Sequence, residues 1–331
     1  MFAAYAARID PDQPLSALEL GERPEPEARP GWTTVNVKAA SLNRHDLWSL
    51  TGAALGPVPL SGVEVTEEQL PMILGSDAAG IDEDGNEVVL HNVIGQTGYG
   101  LGPDETPAML SKQHYQGTFA ERVRVPLWNV VPKPKELSFE EAACLPTAWL
   151  TAYQMLFTKA GVRPGQSVLV QGTGGGVATA AIVLAAAAGL RVFATSRDKA
   201  KLKRARELGA EGAFETGTRL PHQVDAVIDS VGAATWSHSL TSLKPGGTLV
   251  ICGTTSGTNP TEAELHRIFF YELKVAGSTG GTKEELADLL NFCAATGVRP
   301  VIDSVLPLDR AREAFEKMAK GGMFGKLVLT V

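Results

Sequence analysis

Cysteine is scarce in this chain: three residues in 331, Cys144, Cys252 and Cys293, none close to another. That leaves no CxxC pair and no disulfide framework; it points to a reducing compartment, with the cytoplasm as the default. No apolar run reaches the ~18 residues that a membrane span needs. The apolar stretch 178–188 is too short and too rich in alanine. The opening Met1-Phe2-Ala3-Ala4-Tyr5 lacks a basic segment and a long apolar segment, so no secretion signal is read there. Positive charge is in deficit, with 30 Lys and Arg against 37 Asp and Glu and a formal net charge of −7. This argues against nucleic acid or an anionic membrane as the main partner. The remainder is 44% hydrophobic and 20% charged, a globular balance, and 331 residues suggest two lobes rather than one.

The densest signal lies at residues 167–210. Ser167-Val168-Leu169-Val170-Gln171 reads as a short strand, followed by Gly172-Thr173-Gly174-Gly175-Gly176-Val177 and an apolar helix over 178–188. Glycines let the backbone turn tightly against a pyrophosphate, and the free N–H groups of the helix start then face that anion. A second strand, Arg191-Val192-Phe193-Ala194-Thr195, completes a strand–turn–helix–strand unit of the dinucleotide-binding kind. Sites that take NAD place Asp or Glu about 20 residues past the first glycine, to accept from the ribose 2′-OH. Here that place holds Ser196, followed by Arg197, Lys199 and Lys201. Hydroxyl and cations suit a 2′-phosphate, so NADPH is expected over NADH, with Asp198 pointing away.

Residues 1–125 are strand-like and loop-rich, and Thr-Thr-Val-Asn-Val-Lys-Ala at 33–39 alternates as a half-buried strand does. From 126 to 280 strands alternate with helices, which predicts α/β architecture with a doubly wound parallel sheet. The tail reads as helices over 283–296 and 308–320 and a strand over 326–331.

Several motifs together make the chain similar to the medium-chain dehydrogenase/reductase superfamily, and within it to the zinc-free quinone oxidoreductase and enone reductase branch. They are Leu42-Asn43-Arg44-His45-Asp46-Leu47, Leu74-Gly75-Ser76-Asp77-Ala78-Ala79-Gly80, Gly117-Thr118-Phe119-Ala120-Glu121 and Leu150-Thr151-Ala152-Tyr153. The glycine-rich turn, Leu243-Lys244-Pro245-Gly246-Gly247 and Phe324-Gly325-Lys326-Leu327-Val328-Leu329 complete the set. The resemblance implies a GroES-like β-barrel catalytic domain from residues 1–125 and 281–331, plus a Rossmann NADP-binding domain over 126–280. It also implies a homodimer, joined along the edge strand at 272–277, where exposed backbone invites pairing.

The branch rests on what stands at the zinc positions. Where relatives carry Cys, His and Cys, this chain has Asn43, Ser76 and Thr147, with Asp77 for a nearby Glu. An amide and two hydroxyls are poor zinc ligands. The cysteine cluster of a structural zinc is missing from 95–116; His91, Asp104, Glu105 and His114 there match no metal spacing. No metal is expected. The resemblance makes Asn43 and Ser76 candidate donors to the acceptor oxygen and His45 the candidate proton source. It puts Arg44 and Lys326 at the cofactor pyrophosphate, and Ser230 and Val231 by the adenine. Gly253, Thr254, Gly277 and Thr279 would surround the nicotinamide, with Thr151 also on the cofactor. Trp48, Trp149 and Phe270 could line an apolar acceptor pocket. A shortened stretch at 81–87 would reshape the substrate mouth. Together these describe an NADPH-dependent oxidoreductase acting on a quinone or an α,β-unsaturated carbonyl. An alcohol/aldehyde dehydrogenase and a non-catalytic NADPH-binding redox sensor stay open as alternatives.

Overall fold

The computed structural model describes residues 1–52, 70–94, 108–112 and 115–331. They fall into two compact units: Met1–Thr147 with Thr282–Val331, and Ala148–Gly281.

The first unit is built on antiparallel pairing. Trp32–Ser41 alternates buried and open residues through Val35 and Val37, then is buried throughout at Ala39, Ala40 and Ser41. The change follows from its neighbours: Asp77–Ile81 flanks that end on one side and Lys326–Thr330 on the other. The sheet runs Val130–Pro132, Glu87–Leu90, Asp77–Ile81, Trp32–Ser41, Lys326–Thr330, Ile302–Pro307, with Arg122–Pro126 also on Trp32–Ser41. The last strand of the chain is thus interior to a sheet begun near residue 32. Phe119 and Phe315, edge to face with centroids 6.0 Å apart, centre the core beside Leu42, Leu74 and Leu327.

This unit runs past residue 125, the boundary expected from sequence. Val130–Pro132 pairs with Glu87–Leu90, the helix Phe139–Ala143 packs on the central strands, and Ser41 Oγ donates to Ala143 O at 2.8 Å. A three-residue strand leaves too short a pattern to be read. Residues 81–87 form a closed hairpin turn, in which Asp82 Oδ1 accepts from the Asp84 and Asn86 N–H groups at 3.0 and 2.8 Å.

The second unit holds six parallel strands in the order Gly212–Glu215, Arg191–Ser196, Ser167–Gln171, Val224–Asp229, Leu243–Ile251, Lys274–Gly277. The earliest strand is central and the order reverses beside it, which is the topological switch point where doubly wound sheets bind ligands. Ser167–Gln171 is buried at every residue, as a strand covered on both faces must be. The helix after the glycine turn spans Gly176–Ala187, two residues earlier than its apolar pattern, because glycines serve as its cap and first residue. Lys274–Gly277 is an edge strand, and near it Leu265, Phe269, Phe270 and Val275 are exposed. Among the described residues no helix is long and apolar enough to cross a membrane.

Candidate active site and cofactor-binding turn

In the second unit the expected cofactor residues gather at the carboxyl ends of the strands. Gly172 adopts φ +80°, open to glycine at little cost, and a Cβ there would lie 3.5 Å from Val231. Asp229 fixes the facing loop: Oδ1 accepts from the Val231 and Gly232 N–H groups, and Oδ2 from Thr235 and Ser239. Gly253 is tight against Ser230, and Gly174 lies beneath the Lys201 side chain, whose Nζ would be 2.7 Å from an added Cβ. Gly175 caps the 12-residue helix with no side-chain hydrogen bond, and nothing would meet a Cβ there. Beside it, the buried Thr173 Oγ1 has no hydrogen-bond partner. Uncapped N–H groups and an orphaned hydroxyl at an open glycine turn suit a pyrophosphate, so this turn fits a dinucleotide. Ser196 ends the second strand, and Arg197 follows it, exposed. Asp198 spends its carboxylate on the Ala200 and Lys201 N–H groups as the next helix cap. Thr254 and Thr279 are exposed, and Gly277 ends the edge strand opposite Ile251. Thr151 is buried in the helix Leu150–Tyr153, away from any exposed surface.

In the first unit a second polar group forms around Asp77. Gly75 takes φ +90° and a Cβ there would strike the Phe119 ring at 2.3 Å, so only glycine fits this turn, which delivers Ser76 and Asp77 to the strand end. The Asp77 carboxylate is fully buried. Its Oδ2 accepts from Asn43 Nδ2 at 2.8 Å and Lys326 Nζ at 3.3 Å and shares with Ala143 O the one proton of Ser41 Oγ, 3.1 Å away, and its Oδ1 accepts from Thr147 Oγ1. Ser76 Oγ stands 3.4 Å from His45 Nε2 and 3.5 Å from Thr147 Oγ1, to which Asn92 Nδ2 also donates. Thr147 itself rides on a π-helical turn, Leu145–Trp149, a geometry frequent at functional positions. Asn43, His45 and Ser76 are therefore brought together as expected, and Asn92, Ser41 and Asp46 join them. Arg44, first in the helix Arg44–Ser49, is exposed.

Two expectations are corrected here. Lys326 is no pyrophosphate contact: it is 1% exposed, and its three N–H groups go to Leu42 O at 2.8 Å, Asn43 Oδ1 at 2.7 Å and Asp77. A lysine distant in sequence gives no sign of which oxygens it will find. His45 is no store of a proton at neutral pH either. Burial, with Lys112 and Lys326 adding positive potential, pushes its pKa down to about 3. The acid that titrates near neutrality is its neighbour. Asp46 is fully buried, Oδ2 accepts from Asn43 N at 2.7 Å, and Oδ1 has no hydrogen-bond partner, with His45 Nε2 3.9 Å away. Burial drives its carboxyl up to about 7, against the Asn43 and Gly75 N–H groups, with Asp77 adding to the rise. An Asp inside an otherwise ordinary helix start carries no mark of that in sequence.

Thr147, Ser76 and Asn43, which the resemblance sets at zinc positions, do not fit zinc. Two donors are hydroxyls, and the amide oxygen and Asp77 already receive an ammonium. His91 is buried with Nδ1 against Val93 O, a structural place, whereas 95–107 and 113–114, with Asp104, Glu105 and His114, lie outside the described residues. Burial lifts all three thiols to about 12, far from nucleophilic use. Trp149 is core, Trp48 is 41% exposed and Phe270 is 64% exposed.

The family model for the alcohol dehydrogenase GroES-like domain matches residues 29–135, and that for zinc-binding dehydrogenases matches 176–295. A zinc-type alcohol dehydrogenase-like protein of Schizosaccharomyces pombe is 33% identical, over 91% of each chain. An acryloyl-coenzyme A reductase of Sulfurisphaera tokodaii is 27% identical over 96% of this chain and 97% of its own. A solved NAD-dependent alcohol dehydrogenase superposes with TM-score 0.86 at 34% identity, covering both chains fully. The chain belongs to the medium-chain dehydrogenase/reductase superfamily, with a GroES-like unit and a Rossmann-type parallel sheet. It is an oxidoreductase of that nicotinamide-dependent family.

Proposed function

We propose that this oxidoreductase uses NADPH, works without zinc, and delivers hydride to a quinone or an α,β-unsaturated carbonyl. The reading is carried by the Asn43–Asp77 cluster, where a lysine ammonium meets the amide and carboxylate and hydroxyls replace thiolate and imidazole. Nothing in that set lowers an alcohol pKa as a Lewis acid does, so oxidation of plain alcohols is disfavoured. An activated acceptor needs less: donors at the oxygen where charge collects, and a proton.

Reduced nicotinamide, when bound, supplies the hydride. Gly172, Gly175, Gly176 and Val177 would hold its pyrophosphate at the helix start, and Ser196, Arg197 and Lys201 would hold the 2′-phosphate. The second N–H of the Asn43 amide and the Ser76 hydroxyl donate to the acceptor oxygen. Asp46, whose carboxyl is part-protonated at working pH, is the proton reserve of the site, and neutral His45 sets its Nε2 3.9 Å from that carboxyl and 3.4 Å from Ser76 Oγ. The acryloyl-coenzyme A reductase relative, named for an α,β-unsaturated acyl substrate, supports the enone side of this reading.

The test is a screen of NADPH and NADH oxidation over quinones, enones, enoyl thioesters and aldehydes, with elemental analysis of the same sample. Turnover confined to simple alcohols and aldehydes, with close to one zinc per chain, would replace it with an alcohol dehydrogenase, the activity named for the solved structure above. We propose further that the chain works in the cytoplasm as a homodimer, paired along the edge strand Lys274–Gly277, where Val275 and Phe270 stand exposed.

A further inference from the structure

We infer that Lys326 is the resident cation of the Asn43–Asp77 site, an ammonium tethered in an oxygen cage, and that removing its side chain leaves a seat for a free primary ammonium ion. The inference extends the zinc-free reading above, but its main readout does not depend on any acceptor.

An ammonium enclosed in protein is costly unless every N–H finds an oxygen. Here each of the three does: Leu42 O, Asn43 Oδ1 and Asp77 Oδ2, at 2.8, 2.7 and 3.3 Å. The same contacts fix the Asn43 amide without ambiguity. An ammonium can only donate, so it faces Oδ1; a carboxylate can only accept, so it faces Nδ2. One N–H of Nδ2 is used on Asp77, and the other is left for an acceptor oxygen. Without the ammonium the amide loses its reason to hold that orientation, and Asp77 becomes a buried carboxylate without the cation it pairs with.

The cage walls stand independently of the lysine side chain. Asp77 is held by Ser41 and Thr147, and the Leu42 N–H donates to Leu327 O at 2.9 Å, pinning the strand that carries Lys326. Truncation to alanine therefore removes a propylammonium from a cavity in which Leu42 O and Asp77 Oδ2 stay in place, and a returning ammonium turns Asn43 Oδ1 back toward them.

The experiment compares wild type with Lys326→Ala by thermal melting, with and without n-propylammonium chloride. The variant is expected to melt about 10 °C lower, the scale for stripping one partner from a buried pair in a unit of this size. Propylammonium should recover part of that shift; sodium and tetramethylammonium chloride at equal ionic strength should not. In the same samples kcat should fall at least tenfold and return with propylammonium, with KM for NADPH steady. Should Lys326→Ala fail to fold, Lys326→Met is set against Lys326→Met/Asp77→Asn, and the double variant should melt higher because it buries no lone carboxylate. Wild-type melting of Lys326→Ala, no response to propylammonium, or a double variant no better than the single would each overturn the inference. Melting recovery in a protein that reduces no acceptor would sustain it and reject the proposed activity instead.

Discussion

His45 and Asp46 should pull stability in opposite directions with pH, and removing either one should expose the other. Asp46 has its folded pKa raised, from 3.8 to about 7, so the native state holds its proton more tightly. Its contribution is therefore greatest at low pH and is lost as pH climbs through that window. His45 has its folded pKa lowered, from 6.5 to about 3, so the unfolded state takes that proton. Its contribution is lost as pH falls through the lower window. Between 3.8 and 6.5 the native chain carries one proton on Asp46 and the unfolded chain one on His45, and the two slopes cancel. His45→Gln leaves only the acid, so stability relative to wild type should fall with rising pH; Asp46→Asn leaves only the imidazole, and it should rise. One proton is worth about 1.4 kcal/mol per pH unit, so each difference should change by about 2 kcal/mol between about pH 4.5 and about pH 6. Urea unfolding of the three proteins across that range measures it, and the other titrating groups drop out of the differences. Two difference curves that stay flat, or slope the same way, would refute the reasoning.

Ser196→Asp should reverse the cofactor order, turning at least a tenfold NADPH preference, about 1.4 kcal/mol, into an NADH preference in fluorescence titrations. Equal binding by the wild type would remove that idea. Asn43→Ala should lower turnover by roughly 10²-fold with NADPH affinity almost unchanged, the scale of one lost oxyanion donor; steady-state kinetics decides it. Light scattering should return twice the 35.0 kDa chain at micromolar concentration, and Val275→Lys on the exposed edge should shift that toward monomer.

Local grammar made much of the fold legible. The helix Lys283–Thr296 announces itself at both ends, where Thr282 and Glu285 trade backbone N–H bonds and Gly297 takes φ +73°. The glycine turn is readable for the same reason, since strand, turn and helix adjoin in sequence. The helix Phe139–Ala143 and strand Val130–Pro132 belong with the first unit, past the expected bound at 125, and only their distant partners say so. In the candidate site, Asn43, His45 and Ser76 could be named from motif positions. Their protonation and bonding could not, because those depend on burial and on Lys326, far away in the chain. Asp46 shows this best: its residue type suggests an ordinary carboxylate, and burial, with Asp77 adding to it, makes it an acid near neutrality.

The bond between Lys326 and Asn43 spans 283 positions, and that separation has a consequence for synthesis. At ~5–20 residues per second, a ribosome delivers the amide and Asp77 roughly a quarter-minute to a minute before the cation they require. Through that interval the nascent first unit lacks both its interior strand Lys326–Thr330 and the charge that neutralises its buried acid. The middle of the chain, whose parallel pairings all lie within residues 167–277, can meanwhile close on itself. The half of the enzyme that starts first is the half that must finish last.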